Sequence, residues 1–457
     1  MSNIMGELVR FILDTNYEDL PEPIINTTKN LFLDSIGCAL AGITTDPGKM
    51  AIALAKPLGG PPECSIIGTG EKVSATTAAL INGQLVNALD FDTVMLAGHI
   101  PPYVIPTELA MAEKVGASGK DLILATAVGL EVAGRIGFAT PAPMQFVGKD
   151  RTFKYAKREG YAKTNFGAAA GAGKLLGLNE DQMANALAVA GHMSQILTWS
   201  RSNYAMPRNL SKYGFPGWQN TGAIIAVLWA QMGFQGDVTL LDDDEHGYGE
   251  FSGYDSWNPE KITVGLGTTW SFADISFKRY ACCASLHRCL DAFCQLQQEY
   301  HLHPDEIESV NCTTSPTVDS LLFSDRRLNN IVDLQFGMHY ALAMAAYGEK
   351  TGVDWQDWNK LTDPKILEFS RKITLKGDPK YGETRLSKVE VVARGGQTFK
   401  AELPGFTAKF TGQELADKFR HNASRNLTRN KINQAVDTFL TLENIPNVSQ
   451  LMAAITM

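Results

Sequence analysis

Residues 82–106 read NGQLVNALDFDTVMLAGHIPPYVIP. The stretch leaves an apolar helix, in which Ala78, Ala79, Leu80, Leu85, Val86 and Leu89 recur near helical spacing, and enters Asp90-Phe91-Asp92-Thr93. It then reaches His99 and Pro101-Pro102, and a second apolar helix starts near Pro106. A loop held at both ends by helices thus gathers two carboxylates, a hydroxyl and an imidazole, and such held loops are where chemistry concentrates. The residue types allow two readings. One is a proton-handling site; the other is a pair of helix-terminating aspartates with an ordinary turn histidine.

Outward from this loop the texture stays helical. Residues 4–15 and 21–42 carry apolar faces, Gly42 suits a helix end, and 48–57 is a short helix before Gly59-Gly60-Pro61-Pro62. Only CSIIGTGEKVS (64–74) reads as strand or turn. Helices are expected at about 106–116, 119–137, 167–176, 179–193 and 219–233, with Asn179 and Gln182 as a capping box. The runs AAAGAG (168–173) and ANALAVAG (184–191) point to helices packed closely together. Gly167–Gly173 has no preceding strand and is no phosphate loop. The acidic run DDDEH (242–246) reads as a solvated loop, since consecutive residues rarely converge on one ion.

Beyond residue 260 the pattern changes. Thr263–Leu266 and Phe272–Phe277 are short and β-branched or aromatic. A helix at 284–299, a strand at Ile307–Thr314, a helix at 333–347 and a strand at Ile373–Lys376 follow. SKVEVVARGGQTFKAELP (387–404) is a hairpin around Gly395-Gly396. Residues 411–456 return to helix. The predicted fold is therefore mainly α: an all-helical domain from 1–262 with 406–457, and a smaller α+β domain at 263–405.

Composition narrows the function. The chain has 457 residues, 44% of them hydrophobic and 20% charged, enough for a sizeable core. The net charge is −8 with no long basic run, which argues against nucleic acid as a partner. Seven irregularly spaced cysteines make no disulfide framework and read as reduced thiols of a cytoplasmic protein. The start of the chain lacks a signal-peptide pattern, and no run approaches 18 uninterrupted apolar residues, so no membrane span is expected.

Two further stretches could carry chemistry. In SRSNYAMPRNLSKYGFPGW (200–218), Arg201, Arg208 and Lys212 sit in an irregular segment. Lys212 among Tyr213, Phe215 and Trp218 is either a desolvated acid or base or a snorkelling surface residue. ISFKRYACCASLHRCLDAF (275–293) brings Lys278, Arg279, Tyr280 and His287 to a helix start, a setting for a carboxylate or simply a basic strand edge.

Three of these stretches together, DFDT…GH…P (90–106), K…G…G…G (212–236) and FKRYACC…H (277–287), resemble the MmgE/PrpD family. This is the family of 2-methylcitrate dehydratase, cis-aconitate decarboxylase and iminodisuccinate epimerase. NTTKNLFLDSIGCALAG (26–42), IIGTG (66–70), GKLLGL (173–178) and LQFGMHYALA (334–343) extend the likeness over nearly the whole chain. The resemblance implies that the α+β part is a lid over the helical domain, with a cleft between them, in a homodimer. It implies no metal or organic cofactor, and proton removal beside a carboxylate followed by loss of water, loss of carbon dioxide or reprotonation.

Carried over, Asp90, Thr93 and His99 match the family's first active-site loop, Lys212 its active-site lysine, and Lys278 and His287 its lid cation and histidine. Tyr280 beside Lys278, and Arg201, complete the expected substrate-binding set. Two departures stand out. No histidine lies between His99 and His192, where the family carries a second one, and Phe336 stands where the decarboxylases have tyrosine. His192, at a helix end, is the candidate to replace the lost group. The expected function is a cofactor-independent dehydratase of the 2-methylcitrate type. An epimerase, a decarboxylase or a non-catalytic ligand-binding paralogue are the alternatives.

Overall fold

The computed structural model describes residues 3–95, 98–141, 144–147, 152–156, 160–194, 201, 205–212, 214–384, 386–404 and 410–457. Tyr213, one of the aromatic residues placed beside Lys212 by sequence, lies outside them.

The fold is mainly α. Its principal helices in the first half are α1 (Ile4–Asp14), α2 (Glu22–Gly42), α3 (Ala75–Asn87), α4 (Pro101–Val115), α5 (Gly119–Ala139), α6 (Thr164–Leu175), α7 (Glu180–His192) and α8 (Pro216–Gln231). The capping box expected at α7 forms: Asn179 Oδ1 accepts from the Gln182 N–H, and Gln182 Oε1 from the Asn179 N–H. Asp242, in the acidic run, caps α1 by accepting from the Ile4 N–H at 2.6 Å.

Helix α5 is long and apolar enough by composition to cross a membrane, but 89% of that window is buried inside the fold. It serves here as a core helix, covered by α4 and α6. The small-residue runs make that packing possible. A Cβ on Gly167 would lie 2.2 Å from the Gly129 carbonyl oxygen, so the backbones of α5 and α6 touch directly there.

The second half contains α9 (Ala284–Glu299), β1 (Ile307–Thr314), α10 (Met338–Ala346), β2 (Ile373–Gly377), β3 (Leu386–Ala393) and β4 (Thr398–Pro404). The sheet order is β2-β1-β3-β4; β1 runs parallel to β2, and the other pairs are antiparallel. Val389 faces Ala401 across the predicted hairpin, and burial alternates along β3 as a half-covered sheet requires. Helix α9 lies on β3 and β4 and carries α10 on its other flank. The chain closes with α11 (Gly412–Ala423) and α12 (Arg429–Leu440), both packed on α2.

Two hydrophobic cores result. One joins α1–α8 to Leu415, Phe419 and Phe439 of the closing helices; the other runs from Tyr280 to Val391. Tyr103 and Tyr161, from the helical half, belong to the second core. A small third cluster, Cys38, Ala41, Ala88, Leu89, Phe91 and Ala281, lies along the seam.

Sequence and structure differ in places. The first 262 residues are not purely helical: Cys64–Ser65 pairs with Lys72–Val73, and Met144–Val147 with Thr152–Tyr155, as two small ribbons. Thr263–Leu266 and Phe272–Phe277 add no strand to the sheet. The buried Arg135, paired with Glu131, collects the carbonyls of Val264, Gly265 and Thr269, which a strand would have spent on a ladder. Ser276 makes an isolated bridge to Val94, which ties this segment to the Asp90 loop.

Candidate active site

Helix α3 ends at Asn87, and the chain turns through Asp90, whose φ of 53° places a non-glycine residue in the left-handed region. His99 follows Gly98 and stands just before Pro101-Pro102, the first residues of α4. Gly98 has φ 112°, and a Cβ there would lie 2.2 Å from the Tyr161 ring. Glycine therefore lets Tyr161 close over the loop and stand edge-on to His99, with ring centroids 5.9 Å apart.

Asp90, Asp92 and His99 are all buried. His99 Nδ1 is 2.7 Å from Asp92 Oδ2, and Asn87 Nδ2 donates to Asp92 Oδ1 at 2.9 Å. Burial opposes charge on Asp92, but the His99 charge and hydrogen bond, with Lys278 and Lys212, outweigh it and hold its pKa at about 2. An ionised Asp92 can only accept, so Nδ1 carries the proton and Nε2 is the nitrogen that takes one up. Nε2 stands 3.5 Å from Asp90 Oδ1.

Lys278 arrives from the start of the second half. It is fully buried, and its ammonium donates to Asp90 Oδ1 at 2.9 Å and to the Asp90 carbonyl at 2.8 Å. Burial disfavours its charge, yet Asp90 and Asp92 raise its pKa on balance. Lys212 is buried too, with φ 32°, and donates to the Asn87 carbonyl at 2.9 Å. Here burial wins over the attraction of Asp90 and Asp92, and the pKa falls to about 8. Asp90 and Lys212 are two of the three non-glycine residues with positive φ among the described residues, a concentration of backbone strain at one site.

A further shell holds the loop. Thr93 Oγ1 donates to Asp34 Oδ2 at 2.8 Å, and Asp34 pairs with Lys418 at 2.6 Å. Lys418 also donates to the carbonyls of Phe91 and Lys278. From the other core, Gln335 donates to the Ala88 carbonyl and Gln356 to the Leu89 carbonyl, while the two amides bond each other at 3.0 Å. A cavity of about 480 Å³ has Lys212, Asn87 and Ala88 in its wall.

The remaining predicted residues fall around this centre. The His287 ring is buried edge-on to Tyr280, 3.3 Å from the Cys282 carbonyl, and burial with the Lys278 charge pushes its pKa well down. Tyr280 donates its hydroxyl to Asp291 on α9 and stacks on Trp355. Arg201 is exposed. His192 is exposed at the end of α7, beside Phe251, and the structure does not bring it to Asp90, Asp92 and Lys278. Phe336 is buried against Phe323.

Asp90, Asp92 and His99 offer three donor atoms within 4.8 Å of one another, a set that could bind a metal ion. The Lys278 ammonium 2.9 Å from Asp90 already supplies positive charge there, and it would repel a divalent cation at that distance.

Comparison with known proteins decides the family. The MmgE/PrpD N-terminal domain model matches residues 6–260 and the MmgE/PrpD C-terminal domain model residues 280–442. The chain belongs to the MmgE/PrpD family. Among its relatives, a cis-aconitate decarboxylase of Aspergillus terreus is 24% identical, over 99% of this chain and 95% of that protein. A cis-aconitate decarboxylase of Homo sapiens is 25% identical, over 94% of this chain and 90% of that protein. A cis-aconitate decarboxylase-like protein of Aspergillus oryzae is 24% identical, over 99% and 97%.

Within this MmgE/PrpD chain, the sequence places Asp90 in the candidate set and leaves Asp92 outside it, as one of two loop carboxylates open to either reading. In the structure Asp92 holds the imidazole and Asp90 holds Lys278. The seven-residue spacing of Asp92 and His99 around Gly98 was the available signal. Asp34, Lys418, Gln335 and Gln356 carried none, because each meets the loop through packing.

Proposed function

We propose that this protein is a lyase that removes a proton beside a carboxylate of a small acid and expels water, a dehydratase of the 2-methylcitrate type. The observation that carries the reading is the Asp92–His99 pair at 2.7 Å, buried in one network with Lys212 and Lys278. His99 Nε2 takes the substrate's proton, and Asp92 and Asp90 stabilise the imidazolium that forms. The carbon–hydroxyl bond breaks, and the departing hydroxide takes a proton from the Lys212 ammonium to leave as water. With a pKa of about 8, Lys212 is mostly protonated at neutral pH yet ready to give up its proton. The Lys278 charge lowers the energy of the carbanion-like transition state through the buried, weakly screened medium. Solvent then returns protons from His99 to Lys212.

Decarboxylation is the second reading, favoured by what the relatives' names state of those proteins. It needs the same positive field but no acid for hydroxide. Phe336 at the position of the decarboxylases' tyrosine supports dehydration over it. A panel of citrate-like acids incubated in deuterated water separates the outcomes. Dehydration gives an alkene and water, decarboxylation releases carbon dioxide, and epimerisation exchanges deuterium without net loss. Absence of all three across the panel would overturn the lyase reading and leave a ligand-binding paralogue.

A further inference from the structure

The cavity that reaches Lys212 has an unexpected lining for a site taking only small polyacids. Its polar contributors, Gln84, Asn87 and Lys212, are few, and the rest of its wall is dominated by Met50, Leu54, Leu80, Leu210, Phe215 and Trp218. Five of those six are more than 40% exposed, from Leu54 and Leu210 at 44% to Met50 at 60%. So much clustered apolar surface on a protein marks a place where something apolar binds. Its volume, about 480 Å³, lies within the range of about 300–1,000 Å³ typical of small-ligand pockets.

We propose that the substrate carries an apolar substituent of several carbons, seated in this cavity, with its reacting, hydroxyl-bearing end at Lys212. The inference rests on the lyase reading for the chemistry and on the cavity wall for the substituent. A compact tricarboxylate would set three charges in a wall whose polar side chains are Gln84, Asn87 and Lys212 with a single cation among them, and burying an unpaired charge is costly. An alkyl chain has the opposite balance. It covers the apolar wall while the reacting end stays beside Lys212. Asn87 joins the two regions, because it lines the cavity, accepts from Lys212 and holds Asp92.

The test is a series of citrate-type acids bearing methyl, propyl and hexyl groups, measured for turnover and, by titration calorimetry, for affinity. Both kcat/KM and affinity should rise about fourfold per added methylene until the cavity is filled. Leu54→Arg and Trp218→Ala, at exposed rim positions, should each lower the hexyl-to-methyl ratio at least about tenfold, the loss expected for two or more methylenes. Equal response to all three acids, or preference for methyl, overturns the proposal while leaving the lyase reading intact. Chain-length-dependent binding without turnover overturns the lyase reading and supports the cavity assignment. A change of oligomeric state in the two variants with chain-length preference unaltered would make this face a subunit contact and also overturn the proposal.

Discussion

Asp92 and Lys212 lie in one buried network, yet their pKa values move for different reasons. At Asp92 the neighbouring His99 charge prevails over burial; at Lys212 burial prevails over the neighbouring carboxylates. His99→Ala should lower turnover at least about 10²-fold, and Asp92→Asn by a comparable factor, because an amide cannot hold the reactive tautomer electrostatically. Lys212 as the acid predicts that kcat falls as pH rises through about 8, with the limb displaced in Lys212→Arg. Stability runs the other way. The unfolded lysine holds its proton up to its ordinary 10.5, so stability attributable to this residue rises between about 8 and 10.5. Lys212→Met should therefore melt higher than the natural protein at neutral pH while being inactive. Asp92, with its pKa depressed from 3.8 to about 2, contributes stability that is present above 3.8 and lost as pH falls through 2. Urea midpoints of the natural protein and Asp92→Asn should converge toward the acid end.

Helix contacts set how finely the loop is held. Gly167→Ala would drive a methyl carbon to 2.2 Å from the Gly129 carbonyl, forcing α5 and α6 apart at a cost of about 1–3 kcal/mol. Tyr161 precedes α6 and packs on Gly98, so the same variant should lose activity beyond its loss of stability. Lys418 of α11 is buried against Asp34 of α2. Removing it strands a buried carboxylate, and Lys418→Met should lower unfolding free energy by about 3–5 kcal/mol in urea titration. The double variant Asp34→Leu/Lys418→Met should recover part of that, since no unpaired charge remains.

Across the whole molecule, two cores meet at a seam on which the chemistry sits. Gln335 and Gln356 reach from the second half of the chain to the carbonyls of Ala88 and Leu89 in the small third cluster. Replacing both with alanine should raise KM more than it lowers kcat, because the cleft loosens while Asp92 and His99 stay paired within their own loop. Full activity should survive dialysis against a strong chelator, since Lys278 meets the Asp90 charge that a metal would need. Loss of turnover restored by a divalent ion would overturn this view of the Asp90, Asp92 and His99 cluster.

What the sequence determined by itself was everything that depends on neighbours in the chain. Helical spacing of apolar residues, the Asn179–Gln182 box, the Gly395-Gly396 hairpin and the Asp90–His99 loop are all short-range patterns, and each appears in the structure. The MmgE/PrpD likeness was legible because its motifs keep their order along the chain. Tertiary structure alone decided which charges meet. Lys278 lies 188 residues from Asp90 and Lys212 lies 125 from Asn87, and no local rule pairs them. It also decided that segments 263–266 and 272–277 leave the sheet, because Arg135 claims two carbonyls of the first and that of Thr269 between them, and Ser276 of the second bridges to Val94. The physical reason is common to both. Local patterns follow from energies within a turn or two of chain, whereas the strength of a buried charge pair depends on desolvation that exists only once distant elements have packed.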